Sequence, residues 1–316
     1  MRKIYKYIAI VSAALSAFSC DAEKDNSRAT GAFDISITSF NVLGVDSKAE
    51  WAPRVKAIGE IINLEGHCPD ILCLQECSDT SKQSDLLRLF REKYDSHTIG
   101  LTDASPALIL WDRQKFSKTD AGYSDMLLGD TGYGMSDYTA SRYAHYVRLM
   151  EKSTGCEFLV YNIHLKTNSS TVSYQKLRYD CITALCPAAV DRADRLGGIP
   201  VFIMGDFNNY IDTEEAGFVS APSACIAGGF TESASMAREC INLNYKTSGV
   251  DMSGKATPKP DGNYRIDYIF YRYAGPVSVS RYQTVIDFVD GSAEEISTPV
   301  ASDHHPVNAI FHLEYR

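Results

Sequence analysis

Pro200-Val201-Phe202-Ile203-Met204-Gly205-Asp206-Phe207-Asn208 reads as a strongly apolar strand that runs into an acid and an amide. A carboxylate beside such a strand is costly to desolvate unless it is paired or holds a metal. The same ending recurs in both directions along the chain. Asn41 follows Ile37-Thr38-Ser39-Phe40, Glu76 follows Leu72-Cys73-Leu74-Gln75, and His164 follows Val160-Tyr161-Asn162-Ile163. Asp267 interrupts an apolar stretch between Arg265 and Phe270, and Asp303-His304 opens the last strand. One such residue is usually a satisfied structural group. Six independent placements at strand edges point to one site at the rim of a sheet.

The intervening sequence alternates between strand and helix patterns. Phe33, Ile35 and Ile37 alternate with Asp34, Ser36 and Thr38, a half-buried strand over 33–41. A helix starts near Pro53, with Val55, Ile58 and Ile62 as its apolar stripe. Leu86, Leu89, Phe90 and Tyr94 predict another amphipathic helix. Strands are expected near 70–76, 107–111, 144–150, 157–165, 200–206, 265–272, 277–285 and 306–314. Residues 171–196 are helical in pattern, with a kink or restart at Pro187. No repeat, low-complexity stretch or polar linker divides this core, so one domain over 32–316 is expected.

Ahead of it lies a targeting pattern. Arg2, Lys3 and Lys6 precede a short apolar run from Ile8 to Phe18, then Ser19 and Cys20. Residues 1–19 read as a signal peptide, Cys20 as a lipidation site, and 20–31 as a flexible tether. That predicts export and lipid anchoring in the envelope of a Gram-negative-type bacterium, with membrane contact only through the lipid. The 31 Lys and Arg against 40 Asp and Glu leave a net charge of −9. Loss of residues 1–19 removes three cations and leaves −12. This balance speaks against a dedicated duplex-DNA binder. With mean hydropathy −0.18, a polytopic membrane protein is excluded. The other eight cysteines could pair in an exported protein, with connectivity open. Cys73 fits a core position.

The set Ser39-Phe40-Asn41, Leu74-Gln75-Glu76, Asn162-Ile163-His164-Leu165, Gly205-Asp206-Phe207-Asn208, Arg265-Ile266-Asp267-Tyr268 and Ser302-Asp303-His304-His305-Pro306 resembles the endonuclease/exonuclease/phosphatase superfamily, in that family's order. The resemblance implies a four-layer α/β/β/α sandwich of two stacked mixed sheets, with the site at one end. It implies phosphoester hydrolysis, foremost of a diester, by water activated by Mg²⁺ or Mn²⁺, as one ion or two. Oxygen donors suit such ions. Glu76 is then the principal metal ligand, assisted by the Asn41 amide oxygen. Asp206 orients or deprotonates the attacking water, and Asn208 hydrogen-bonds a phosphate oxygen. His304 binds phosphate or transfers protons, with Asp267 fixing its tautomer. Asp303 binds metal or completes that network, and His164 donates to the scissile phosphate from the opposite side.

Arg142 and Tyr143 are candidate substrate contacts at the edge of residues 117–143. The glycines and tyrosines of that region suggest a mobile aromatic loop able to stack a base or sugar. Asn162 and Asn209 are expected to serve turns, His305 to be structural, and His67, His97 and His312 to be surface or packing residues. The substrate stays open between a small phosphoester and a nucleic acid. The alternatives are a secreted endonuclease of deoxyribonuclease type, a sphingomyelinase-type or sugar/inositol phosphate phosphatase, and a non-catalytic binding protein on the same fold. No protein partner is predicted.

Overall fold

The computed structural model describes residues 31–46, 48–64, 67–77, 80–98, 107–126, 143–168, 173–259 and 264–315. Cys20, the signal and tether segments, and Arg142 lie outside the described residues, as does most of the expected aromatic loop.

Two mixed sheets carry the architecture. In the first, β1 (Gly31–Asn41) lies between β2 (Ile71–Gln75), its parallel neighbour, and β15 (Val307–Tyr315), which is antiparallel to it. Beyond β2 come β4 (Leu108–Asp112) and the edge strand β3 (Tyr94–His97). Beyond β15 come β14 (Val277–Thr284) and β12 (Ala237–Ile241). The second sheet orders β11 (Thr231–Glu232), β13 (Asp267–Arg272), β8 (Val201–Asp206), β7 (Glu157–His164), β6 (Tyr143–Glu151) and β5 (Phe116–Asp125). A short hairpin, β9 (Glu214–Glu215) and β10 (Phe218–Val219), stands apart.

The period of two along each strand assigns its residues to layers. Ile35, Ile37, Ile71 and Cys73 of the first sheet meet Phe158, Val160, Phe202, Met204 and Ile269 of the second in one buried cluster. On the outer face of the first sheet, Phe40, Leu72 and Leu74 pack under α1 (Trp51–Ile62) and α2 (Thr80–Phe90). On the outer face of the second, Leu159, Tyr161 and Ile203 pack under α3 (Gln175–Arg195) and α4 (Ala221–Ala227). The layers run α/β/β/α, as the resemblance implies. A one-turn helix, α5 (Ser233–Met236), closes the β11 edge.

Four expectations need correction. Tyr94 begins β3 instead of ending a helix, and its ring stands edge-on to Phe90. Helix α3 runs unbroken through Pro187, whose side chain is exposed, so the ring projects into solvent. The segment from 117 to 125 is no loop: it pairs with β6 as an antiparallel strand. Asn162 lies inside β7, not in a turn. Among the described residues no helix is long and apolar enough to cross a membrane.

Candidate active site

The alternation that sends Ile37, Val160, Met204 and Ile269 between the sheets continues to the strand ends. There it sends Asn41, His164, Asp206 and Asp267 into the same gap. Register aligns them: Asp206 is the Cα partner of both His164 and Asp267. Between these groups and the apolar core lies a layer of buried amides. Gln75 Nε2 donates to Asn162 Oδ1 at 2.7 Å and to Ser39 Oγ at 3.1 Å, and Asn162 Nδ2 donates to the carbonyls of Leu74 and Leu108. Asn162 thus ties the two sheets together behind the site.

The backbone is unusual where the chain leaves these strands. Glu76 and Asn208 both hold positive φ, 60° and 48°. Non-glycine residues in this region are held there by their surroundings, at a cost of about 1–3 kcal/mol. Glu76 is held by Gly44 N–H, which donates to its Oε2 at 2.8 Å, and by Asn41 Nδ2 at 3.0 Å from its Oε1. Asn208 is held by its own N–H on Asp206 Oδ1 at 2.8 Å and by its Nδ2 on the Leu165 carbonyl at 2.7 Å. Gly205 has φ 149°, and a Cβ there would stand 1.9 Å from the Ile163 carbonyl oxygen. Glycine is what lets β7 and β8 approach just before His164 and Asp206.

Asp206 is the hub, almost fully buried. Its Oδ2 accepts from Asn41 Nδ2 at 3.1 Å and from Asn208 Nδ2 at 3.3 Å. It faces His164 Nε2 at 3.5 Å and His304 Nε2 at 3.8 Å. His164 Nε2 also lies 3.8 Å from Glu76 Oε1. On the other side His304 Nδ1 meets Asp267 Oδ2 at 3.0 Å. Asp267 is clamped by Thr247, whose Oγ1 accepts from the backbone N–H groups of Ile266 and Asp267. The Ser302 hydroxyl donates to the Asn41 carbonyl and accepts from His304 N–H, tying the loop before β15 to β1.

Electrostatics follow from this packing. Burial works against charge on Glu76, but His164, the Asn41 amide and Gly44 N–H outweigh it and lower its pKa. Burial likewise opposes an imidazolium at His304, yet the carboxylates of Asp267, Asp206 and Asp303 raise its pKa. Burial raises the pKa of Asp267, with His304 pulling the other way. The stable arrangement is one proton held on the His304 side of a buried ion pair. His305 is buried, and burial beside His304 pushes its pKa down to about 3, so it stays neutral.

Asn41, Glu76, His164, Asp206, Asn208, Asp267 and His304 therefore converge, with differences in detail. Asn41 turns its Nδ2 to the two carboxylates, while its Oδ1 accepts from Leu43 N–H at 3.0 Å. Asp303 meets Lys48 Nζ, a cation with no signal in the motif pattern, since it comes from an exposed loop after β1. Tyr143 starts β6 two residues from His145, the partner of Asn162, and its ring stands edge-on to Tyr123. Thr247 carries no signal in the sequence, and Ser302 opens the last motif without a role assigned to its hydroxyl. A hydroxyl in a polar loop carries no period or spacing that would mark it.

The donor set suits a divalent cation. Asp206, Asp267 and His304 each offer a ligand atom, all within 4.8 Å of one another, and Asp267 Oδ1 is buried without a hydrogen-bond partner. Within that trio the His304–Asp267 contact already uses one atom of each. The more open oxygens are those of Glu76, whose side chain is 28% exposed.

The model of the Endonuclease/Exonuclease/phosphatase family matches residues 38–304. Among curated proteins no match is found. Solved structures with the same fold include an endonuclease/exonuclease/phosphatase family protein from Bacteroides thetaiotaomicron. It is 21% identical, with TM-score 0.70, over 90% of this chain and all of that one. A mannosyl-6-phosphatase of the same species is also 21% identical, with TM-score 0.68, over 87% and 98%. Truncated TDP2 from Caenorhabditis elegans is 18% identical, with TM-score 0.61, over 89% and 98%.

Proposed function

Because this chain belongs to the endonuclease/exonuclease/phosphatase family, we propose that it is a divalent-metal-dependent phosphoesterase acting foremost on phosphodiesters. The observation that carries this reading is the convergence of four polar side chains on one buried oxygen, Asp206 Oδ2. No structural need of the fold calls for that concentration of polar groups at one end of an apolar sandwich.

Glu76 would hold Mg²⁺ or Mn²⁺, with Asp303 as a further oxygen donor; the Asn41 amide oxygen would join them only on exchanging its Leu43 N–H contact for the cation. Bound there, the cation would polarise the phosphoryl oxygen and offset charge on the leaving oxygen. Asp206 is suited to orient the attacking water and accept its proton, because its Oδ2 is the point on which the site's side chains converge. Asn208, fixed at positive φ, would turn one Nδ2 hydrogen from its 3.3 Å contact with Asp206 Oδ2 to a phosphate oxygen. His304 neutralises phosphate charge with a ring oriented by Asp267, and His164 approaches from the β7 side. Tyr143 and Arg142 are proposed substrate contacts. A sugar phosphate monoester is the second substrate class to test, since one structural neighbour is a mannosyl-6-phosphatase.

The test is a panel of diesters, monoesters, DNA, RNA, sphingomyelin and inositol phosphates with Mg²⁺ or Mn²⁺. Wild type should hydrolyse at least one class, and Glu76→Ala and His304→Ala should each lose about 10²–10⁴-fold in kcat/KM. Wild type inert on every phosphoester would leave the non-catalytic reading standing.

The envelope address is part of the same proposal: export, acylation at Cys20, and tethering by residues 20–31. Radiolabelled palmitate should enter the wild-type chain in a bacterial host and not Cys20→Ala. Equal labelling of both, or of neither, overturns the anchor.

A further inference from the structure

Far from the site, β3, β4, β5 and the turn after β6 border an open groove of about 660 Å³. Its floor is apolar, with Tyr94 and Phe116, and its rim carries Arg91, Arg113, Lys118 and Lys152 against one acid, Asp95. Arg113 is 3.2 Å from Asp95, and Arg91 is 3.1 Å from Glu92. Lys118 has no carboxylate partner among the described residues. Lys152 Nζ donates to the Arg113 carbonyl and has no carboxylate partner among the described residues. In a chain of net charge −9, a cationic rim over an apolar floor needs a reason.

Strand register places this groove at the end opposite the site. Asn41 pairs with Gln75 at the site end, while Trp111, in the groove, pairs with Ile71 at the other end of β2. β1 continues past Ile71 for six more residues, back to Gly31, roughly 20 Å further from the site. The chain enters there beside the groove. A Cβ on Gly31 would touch Thr154, two residues from Lys152, and the Phe33 ring lies 6.3 Å from that of Phe116. The 30 residues before Gly31, which carry the proposed anchor, therefore join the fold at its cationic end.

We infer that this groove is a membrane-docking surface that takes the phosphate headgroups of anionic phospholipids. The inference rests on the tethering reading above. Docked this way, the lipid-proximal end holds the cationic groove against the bilayer, and the catalytic cleft faces away from it, open to substrates that are not in the membrane. Basic side chains near an anionic bilayer contribute additively to binding and are screened by salt.

The test uses the mature chain from residue 20 with Cys20→Ala, so that no acyl chain contributes. It is sedimented with phosphatidylethanolamine vesicles with and without phosphatidylglycerol. Binding should require phosphatidylglycerol and fall with salt. The double variant Lys118→Glu, Lys152→Glu should weaken it by at least about 30-fold. Lys56→Glu with Lys176→Glu, exposed lysines on α1 and α3, should leave it unchanged. All four lysines are exposed, so each variant should stay folded, with melting of the control lowered only by loss of the exposed Lys56–Glu60 and Lys176–Asp180 pairs. Equal binding to neutral vesicles, no effect of the groove variant, or capture of duplex DNA but not vesicles would each overturn the inference. Palmitate labelling separates the two ideas. Labelling without vesicle binding sinks the groove alone, and vesicle binding without labelling sinks the anchor alone.

Discussion

His67 shows how far a single side chain can be read from its neighbours. Its Nδ1 is 2.8 Å from the Ile61 carbonyl, which can only accept, so Nδ1 carries the proton. Its Nε2 then accepts from the Thr38 hydroxyl at 3.0 Å, and that hydroxyl in turn accepts from Asn308 Nδ2. The neutral ring is fully satisfied, and burial pushes its pKa down to about 4 from 6.5. A depressed pKa means that the unfolded chain binds this proton more tightly. The stability it contributes is present above about pH 6.5 and is lost as pH falls toward 4. By about pH 5 the loss should reach about 2 kcal/mol. Urea melts of wild type and His67→Gln should differ in pH dependence by roughly that amount. Parallel curves would refute the assignment. The candidate site behaves differently, because the buried Asp267 and His304 compensate one another as a pair. Asp206 and Asp267 stay in the interior only because His164, His304 and the amides of Asn41 and Asn208 face them.

At the level of strands and helices, Gly205 is the element most exposed to a single change. It permits the β7–β8 approach that puts His164 and Asp206 on one level. Gly205→Ala forces a Cβ against the Ile163 carbonyl, and the conformation itself resists a side chain. We expect a loss of more than about 3 kcal/mol by denaturant melting. A stability within about 1 kcal/mol of wild type would show that the two strands can part without cost. Pro187 makes the opposite point. Helix propensity predicts a break there, but the surrounding turns bury Leu185, Cys186 and Ala189 under the second sheet. That packing outweighs one missing hydrogen bond.

The described fold is a sandwich with the candidate site at one end and Gly31, where β1 begins, at the other. Its acids are distributed accordingly: Glu76, Asp206, Asp267 and Asp303 account for part of the −9 and concentrate where a cation would offset them. Mg²⁺ or Mn²⁺ added to chelated protein should therefore raise Tm, by the equivalent of about 2.7 kcal/mol at a hundredfold excess over Kd. Glu76→Ala should abolish that shift, and an unchanged shift would move the metal elsewhere. From the sequence alone came the strands and their polar ends, because the period of two and the polar ends of apolar runs are local patterns, and the resemblance to the family, which implied the four layers. The sequence did not reveal that Asn162 braces the two sheets, that Thr247 and Ser302 fasten the loops around the candidate site, that 117–125 is a strand, or that cations scattered from Arg91 to Lys152 share one groove. Those are contacts between residues far apart in the chain. No local period marks them, and they exist only once the two sheets are stacked and their edges brought together.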